Sequence, residues 1–153
     1  MNFKQKAVMF LASGCFIGNV SFAPGTFGTI LGLPLCFLFS KINLPVAVLL
    51  AVLFIVFAVL IAQEAEKILG EKDPGAIVID EIAGIVVTLI GLPFNLFCTV
   101  AGFIIFRALD ILKPYPIRLL EQKCPGGAGV VLDDVAAGIV SNLFLRMILF
   151  VIH

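Results

Sequence analysis

Long apolar runs alternate with short polar breaks along this chain. Three stretches, Ala7 to Ser40, Ile42 to Gln63 and Ile82 to Phe106, hold no charged residue. No run alternates apolar and polar positions with period two, so the pattern argues for helices and against half-buried strands. Glycine and proline supply the punctuation. A first apolar segment is expected over about 5–20, followed by a turn-rich loop, "NVSFAPGTFGT", from Asn19 to Thr29. Further helices are expected over about 28–40, 44–69, 77–91, 96–111 and 130–152. The breaks between them are "GEKDPG", "LPFN" and a polar link, "IRLLEQKCPGGAG".

Composition turns this helical pattern into a membrane protein. The 153 residues are 61% hydrophobic and 13% charged, against about 25% charged in an ordinary soluble domain. Mean hydropathy is +1.20. A soluble fold of this size cannot hide so much apolar surface. "LPVAVLLAVLFIVFAVLIA", Leu44 to Ala62, is close to the roughly 20 residues that cross a bilayer. Helices satisfy their own backbone in lipid. The expected fold is therefore all-α: one domain over residues 1–153, a multi-pass bundle of about five spanning helices plus an N-terminal interfacial helix. The zero net charge and the lack of a basic tract exclude nucleic acid as an expected partner. The sequence does not indicate an oligomeric state.

Lys4 and Lys6 before "AVMFLASGCFIGNV" resemble the start of a signal peptide, and Ser21 and Ala23 offer a small-x-small site. Cleavage there would leave Pro24 first, which is unfavourable, so the segment is read as retained. Cys15, Cys36, Cys98 and Cys124 are scattered without CxxC spacing, so neither a disulfide framework nor a zinc site is expected.

The charges then sort by side. With a cytoplasmic N-terminus and five spans, Lys4, Lys6, Lys67, Lys72, Arg107, Lys113, Arg118 and Lys123 fall on the cytoplasmic side. Lys41 lies in an external loop and Arg146 within the last helix, as the positive-inside rule requires. The same arrangement brings Asp80, Glu81, Asp110, Asp133 and Asp134 to one face, from three different helices.

Two of those helices echo each other. "GAIVIDEIAGIV" and "GVVLDDVAAGIV" share a glycine, apolar residues, two acids, and a later small–glycine–apolar turn. Each acid pair stands near a helix start, where the dipole favours a carboxylate. Below each runs a small or polar stripe: Asp80, Gly84, Thr88 and Gly91, then Asp134, Gly138, Ser141 and Asn142. Such stripes let helices approach closely, so the two faces are expected to pack on each other.

Local pairing explains part of this charge, since Asp110 lies three residues from both Arg107 and Lys113. It does not neutralise five carboxylates. A hard divalent cation would, and an all-oxygen ligand set favours Mg²⁺, Mn²⁺ or Ca²⁺. The expected ligands are Asp80, Glu81, Asp133 and Asp134. Arg107 and Lys113 beside them suit a phosphate, and Gly25 and Thr26 of "APGTFGT" could bring backbone N–H groups to it. A phosphohistidine route would need His153, the one histidine, at the end of the chain. A cysteine phosphatase would need an Arg shortly after a reactive Cys, and "CPGGAGVVLD" has none. Metal-activated water remains, with Asp80 and Asp134 in the catalytic set and Asp110 as either a further ligand or the base. A metal-dependent phosphotransferase of lipid head groups and a non-enzymatic cation transporter are the rival classes.

"APGTFGT", "GAIVIDEIAG", "FRALDILKPYPIR" and "GGAGVVLDDVAAGIVSN" occur in this order between about residues 20 and 142, and together they resemble the bacterial phosphatidylglycerophosphatase A family. The resemblance implies a Mg²⁺-dependent phosphatase of the bacterial inner membrane. Such an enzyme removes the terminal phosphate of phosphatidylglycerophosphate and leaves phosphatidylglycerol. Carried over by motif, its residues are Asp80, Glu81, Asp110, Asp133 and Asp134, with Arg107 and Lys113 beside them.

Overall fold

The computed structural model describes residues 1–152, and the side chains of all of these except 120–122. The described residues form seven α-helices and one 3-10 turn, with no strand. In chain order the helices are α1 (Phe3–Ala12), α2 (Pro24–Ser40), α3 (Leu44–Leu69), α4 (Ile79–Leu89), α5 (Leu96–Leu112), α6 (Ile117–Lys123) and α7 (Gly127–Ile152), with the 3-10 turn at Ile17–Asn19.

The helix ends follow local chemistry. Asn43 caps α3 by accepting from the Val46 N–H at 3.1 Å, and Asn95 caps α5 by accepting from Cys98 at 2.8 Å. Gly70 ends α3 in the left-handed region, where glycine carries no steric cost. Lys113 takes the same conformation after α5, immediately before Pro114.

Three expectations are corrected. The "APGTFGT" segment is not a loop: α2 begins at Pro24, whose fixed φ suits a first helical turn. The polar link before the last helix contains α6, and α7 starts at Gly127, earlier than 130. The first apolar segment is also broken, because α1 stops at Ala12 and a turn through Ser13 precedes the 3-10 turn. Ser13 ties that turn by donating from its hydroxyl to the Met9 carbonyl and accepting from the Phe16 N–H.

α4 is the axis of the bundle. None of its residues is exposed, and Ile79, Asp80, Ala83, Gly84, Ile85, Val86, Thr88 and Leu89 are buried. The helices around it reach it through small residues. On α2, Gly28 faces Val78 and Gly32 faces Ile82 and Ile85. On α3, Ala47, Ala51, Ala58, Ala62 and Ala65 make a buried stripe. At Gly84 and Gly138 the backbones of α4 and α7 touch, and a Cβ on Gly138 would collide with the Gly84 carbonyl oxygen. α2, α4 and α7 run one way, while α3 and α5 run the other. Asp80 therefore meets Asp134 at one end, and Thr88 meets Asn142 further along.

The outer surface is apolar. On α3, Val48, Leu49, Val52, Leu53, Val56 and Leu60 are exposed, and α7 exposes Leu143, Met147, Phe150 and Val151. α3 and α7 are each 26 residues long and apolar enough to cross a membrane. α4, with 11 residues, extends only about 16 Å at 1.5 Å per residue.

Candidate active site

α7 starts at Gly127 and carries no acid in its first turn, so Asp133 and Asp134 do not stand at a helix start as the sequence suggested. The first turn of α4 lies beside the second turn of α7. This brings Asp80, Glu81 and Asp134 together, with a carboxylate oxygen of each within 4.8 Å of the others. Asp80 and Asp134 are only 6% and 3% exposed. Asp80 Oδ1, Glu81 Oε2 and Asp134 Oδ2 are buried without a hydrogen-bond donor. Anionic oxygens left bare at this depth are strongly unfavourable unless a cation is supplied. Three hard oxygen donors converging from two helices fit a hard divalent ion. The residues present therefore suit the metal that the sequence implied.

Two cations flank the triad. Arg107, from the last turns of α5, pairs with Asp110 one turn on and lies 3.8 Å from Glu81 Oε1. Its Nε is buried without an acceptor. Lys113 reaches across to Asp133, with Nζ 2.6 Å from Oδ2. The left-handed turn at Lys113 sends the chain off the helix axis after α5. Asp133 is thus an ion-pair partner here, and it lies outside the converging triad of Asp80, Glu81 and Asp134. Asp133 Oδ1 also accepts from the Asp134 N–H at 3.0 Å.

Gly25 opens the fourth side. A Cβ there would collide with Glu81 Oε1 and come within 2.9 Å of the Arg107 guanidinium. The first turn of α2 thus abuts the acid–arginine pair, and its N-terminal end carries the positive pole of the helix dipole. Thr26 is half-buried in the same turn, and its N–H donates to the Ala23 carbonyl.

The sequence did not single out Asp73. It lies on the loop entering α4, with φ +50° and its N–H donating to Glu66 Oε1 at 2.9 Å. Its charge is close enough to act on both Asp80 and Asp133. The signal available was its place in "GEKDPG", seven residues before Asp80, where it reads as an ordinary turn acid. No cysteine joins the site: Cys36 and Cys98 are buried in helices, and all four are free thiols. His153 lies outside the described residues.

Comparison with known proteins gives the family. The phosphatidylglycerophosphatase A family model matches residues 10–149. Phosphatidylglycerophosphatase A of Escherichia coli K12 is 38% identical over 139 residues, covering 90% of this chain and 81% of that one. The Haemophilus influenzae protein of the same name is 34% identical over 131 residues, covering 84% and 80%. A Bacteroides thetaiotaomicron protein, described as a candidate phosphatidylinositol-3-phosphatase, is 35% identical over 151 residues and 93% of both chains. No solved structure matches. With a family model spanning most of the chain, and a converging acid triad flanked by Arg107 inside the matched region, the protein belongs to the phosphatidylglycerophosphatase A family.

Proposed function

We propose that this chain hydrolyses the terminal phosphomonoester of phosphatidylglycerophosphate, giving phosphatidylglycerol and inorganic phosphate, at the shared end of α4 and α7. The observation that carries the reading is the set of three buried, unpartnered carboxylate oxygens beside Arg107 in a chain of this family. Asp80, Glu81 and Asp134 would hold Mg²⁺. When bound, the ion supplies positive charge against the phosphoryl oxygens and makes a water more acidic.

The chain's own groups do the rest. The guanidinium of Arg107 faces the phosphate with a donor still free at Nε. The missing side chain at Gly25 lets the first turn of α2 close directly on the Glu81–Arg107 pair. Lys113, held on Asp133, adds charge at the rim. Asp110, paired with Arg107 and outside the triad, would take a proton from the attacking water. Water adds to phosphorus, the ester P–O bond breaks, and the departing glycerol oxygen takes up a proton. The low-dielectric surroundings strengthen each of these interactions.

In this reading the chain crosses the bacterial inner membrane about five times, the short α4 being enclosed among α2, α3, α5 and α7, with α1 at the interface and the site facing the cytoplasm. The alternating helix directions and the Lys and Arg bias support it. The Bacteroides relative favours a second reading of the substrate, a phosphoinositide with the same phosphomonoester chemistry. Purified protein should be given phosphatidylglycerophosphate and phosphatidylinositol 3-phosphate separately, with Mg²⁺ or with EDTA, and inorganic phosphate measured. Faster release from phosphatidylglycerophosphate, abolished by EDTA, is expected. No release from either lipid in Mg²⁺ would remove the phosphatase reading and favour a transporter.

A further inference from the structure

The far end of α4 carries a second polar assembly that the chemistry above does not use. α4 stops at Leu89, and Ile90 and Gly91 turn away in non-helical conformations. The last carbonyls of a helix have no partner within it, and water does not reach them inside a bilayer. Here α7 supplies the donors. Asn142 Nδ2 lies 3.3 Å from the Val87 oxygen, 2.9 Å from that of Thr88 and 3.0 Å from that of Ile90. Asn142 Oδ1 accepts from Arg146 Nε at 2.8 Å. Arg146 also reaches the Ile90 and Gly91 oxygens, both at 3.4 Å. Only one orientation of the amide works, because a flipped Asn142 would turn its oxygen onto three carbonyl oxygens and its nitrogen onto a guanidinium donor. Arg146 thus orients Asn142, and its charge complements the negative end of α4.

The assembly has a geometric consequence at the other end. Asp80 and Asp134 differ by 54 positions, and so do Gly84 and Gly138, and Thr88 and Asn142. The two helices therefore lie parallel and in register from the acids to the amide. The glycine contact permits close approach through packing alone. Asn142 resists sliding along the axis, because a slip of one residue, about 1.5 Å, would break its bonds. The same slip would carry Asp80 and Glu81 past Asp134.

We propose that Asn142, oriented by Arg146, is a positioning residue that locks the axial register of α4 on α7 and so sets the spacing of Asp80 and Glu81 from Asp134. The inference rests on the metal reading of that triad. Groups that only orient metal ligands typically change affinity by about 10–100-fold when removed.

The test uses the full chain in detergent without substrate, with Mn²⁺ binding read by electron paramagnetic resonance and melting followed on the same samples. Asn142→Leu and Arg146→Met should each weaken Mn²⁺ binding, by at least about tenfold for the first. The Mg²⁺ concentration for half-maximal phosphate release should rise in parallel. Leu149→Ala, which thins the packing on the same helix, should lower melting while leaving Mn²⁺ affinity within about twofold. If Asn142→Leu does not fold, Arg146→Met decides alone, since that side chain lies at the surface. Unchanged Mn²⁺ affinity in the folded variants would overturn the register lock. Failure of the unsubstituted chain to bind Mn²⁺ would instead overturn the metal reading beneath it.

Discussion

Asp80 and Asp134 face each other across two parallel helices, and each has an oxygen with no protein donor. Two like charges buried this close repel strongly unless a cation lies between them. Activity should therefore be lost on EDTA treatment and return with Mg²⁺ or Mn²⁺. Phosphate release in metal-free buffer at the untreated rate would contradict this.

Asp134 and Asp133 are neighbours in sequence with different surroundings, so neutralising them should have different effects. Asp134→Asn removes an anionic oxygen from the triad and should lower kcat by at least about a thousandfold in a folded protein. Asp133→Asn breaks the Lys113–Asp133 ion pair and should instead raise KM, by about tenfold, with a smaller change in kcat. Steady-state kinetics on both variants separate these outcomes. Equal losses in kcat would mean that Asp133 belongs with the ligands.

Gly138→Ala places a methyl group against the Gly84 carbonyl oxygen, which is backbone and has no rotamer to escape through. It should destabilise the bundle by about 1–3 kcal/mol or more. Gly75→Ala, where a Cβ meets nothing within 4 Å, is the matched control. Melting in detergent should fall for the first variant and stay unchanged for the second.

Topology can be checked with single cysteines at Asn43 and Lys123 in a background lacking Cys15, Cys36, Cys98 and Cys124. An impermeant thiol reagent applied to intact cells should label position 43 and spare position 123. The reverse pattern would turn the site to the outside.

Much of this arrangement was readable from the residues, for identifiable reasons. α3 and α7 announce themselves through long apolar runs, and Asn43 marks one boundary with a cap. The paired acids and the small stripes below them pointed to a contact between α4 and α7 because helical periodicity is a local property. What escaped was set by distant contacts or by an overridden propensity. Pro24, Gly25 and Thr26 read as a turn by composition, yet they open a helix whose glycines are needed for close packing on α4. Lys113 reaches Asp133, 20 residues away, and no spacing rule covers that. Asp73 comes to the acids through the path of a loop. Asn142 was visible as a polar residue on the right stripe, but its grip on the Val87, Thr88 and Ile90 carbonyls depends on where α4 stops.

α4 exposes no residue along its length, and this bears on how the protein meets different membranes. Helices that face lipid adjust to bilayer thickness by tilting or by deforming the lipid around them. α4 has no lipid-facing side on which such a force could act directly. The surrounding helices present Leu, Val and Phe outward and take up the mismatch. Two of the three triad acids, Asp80 and Glu81, stand on the enclosed helix, insulated from the acyl-chain length of the host bilayer.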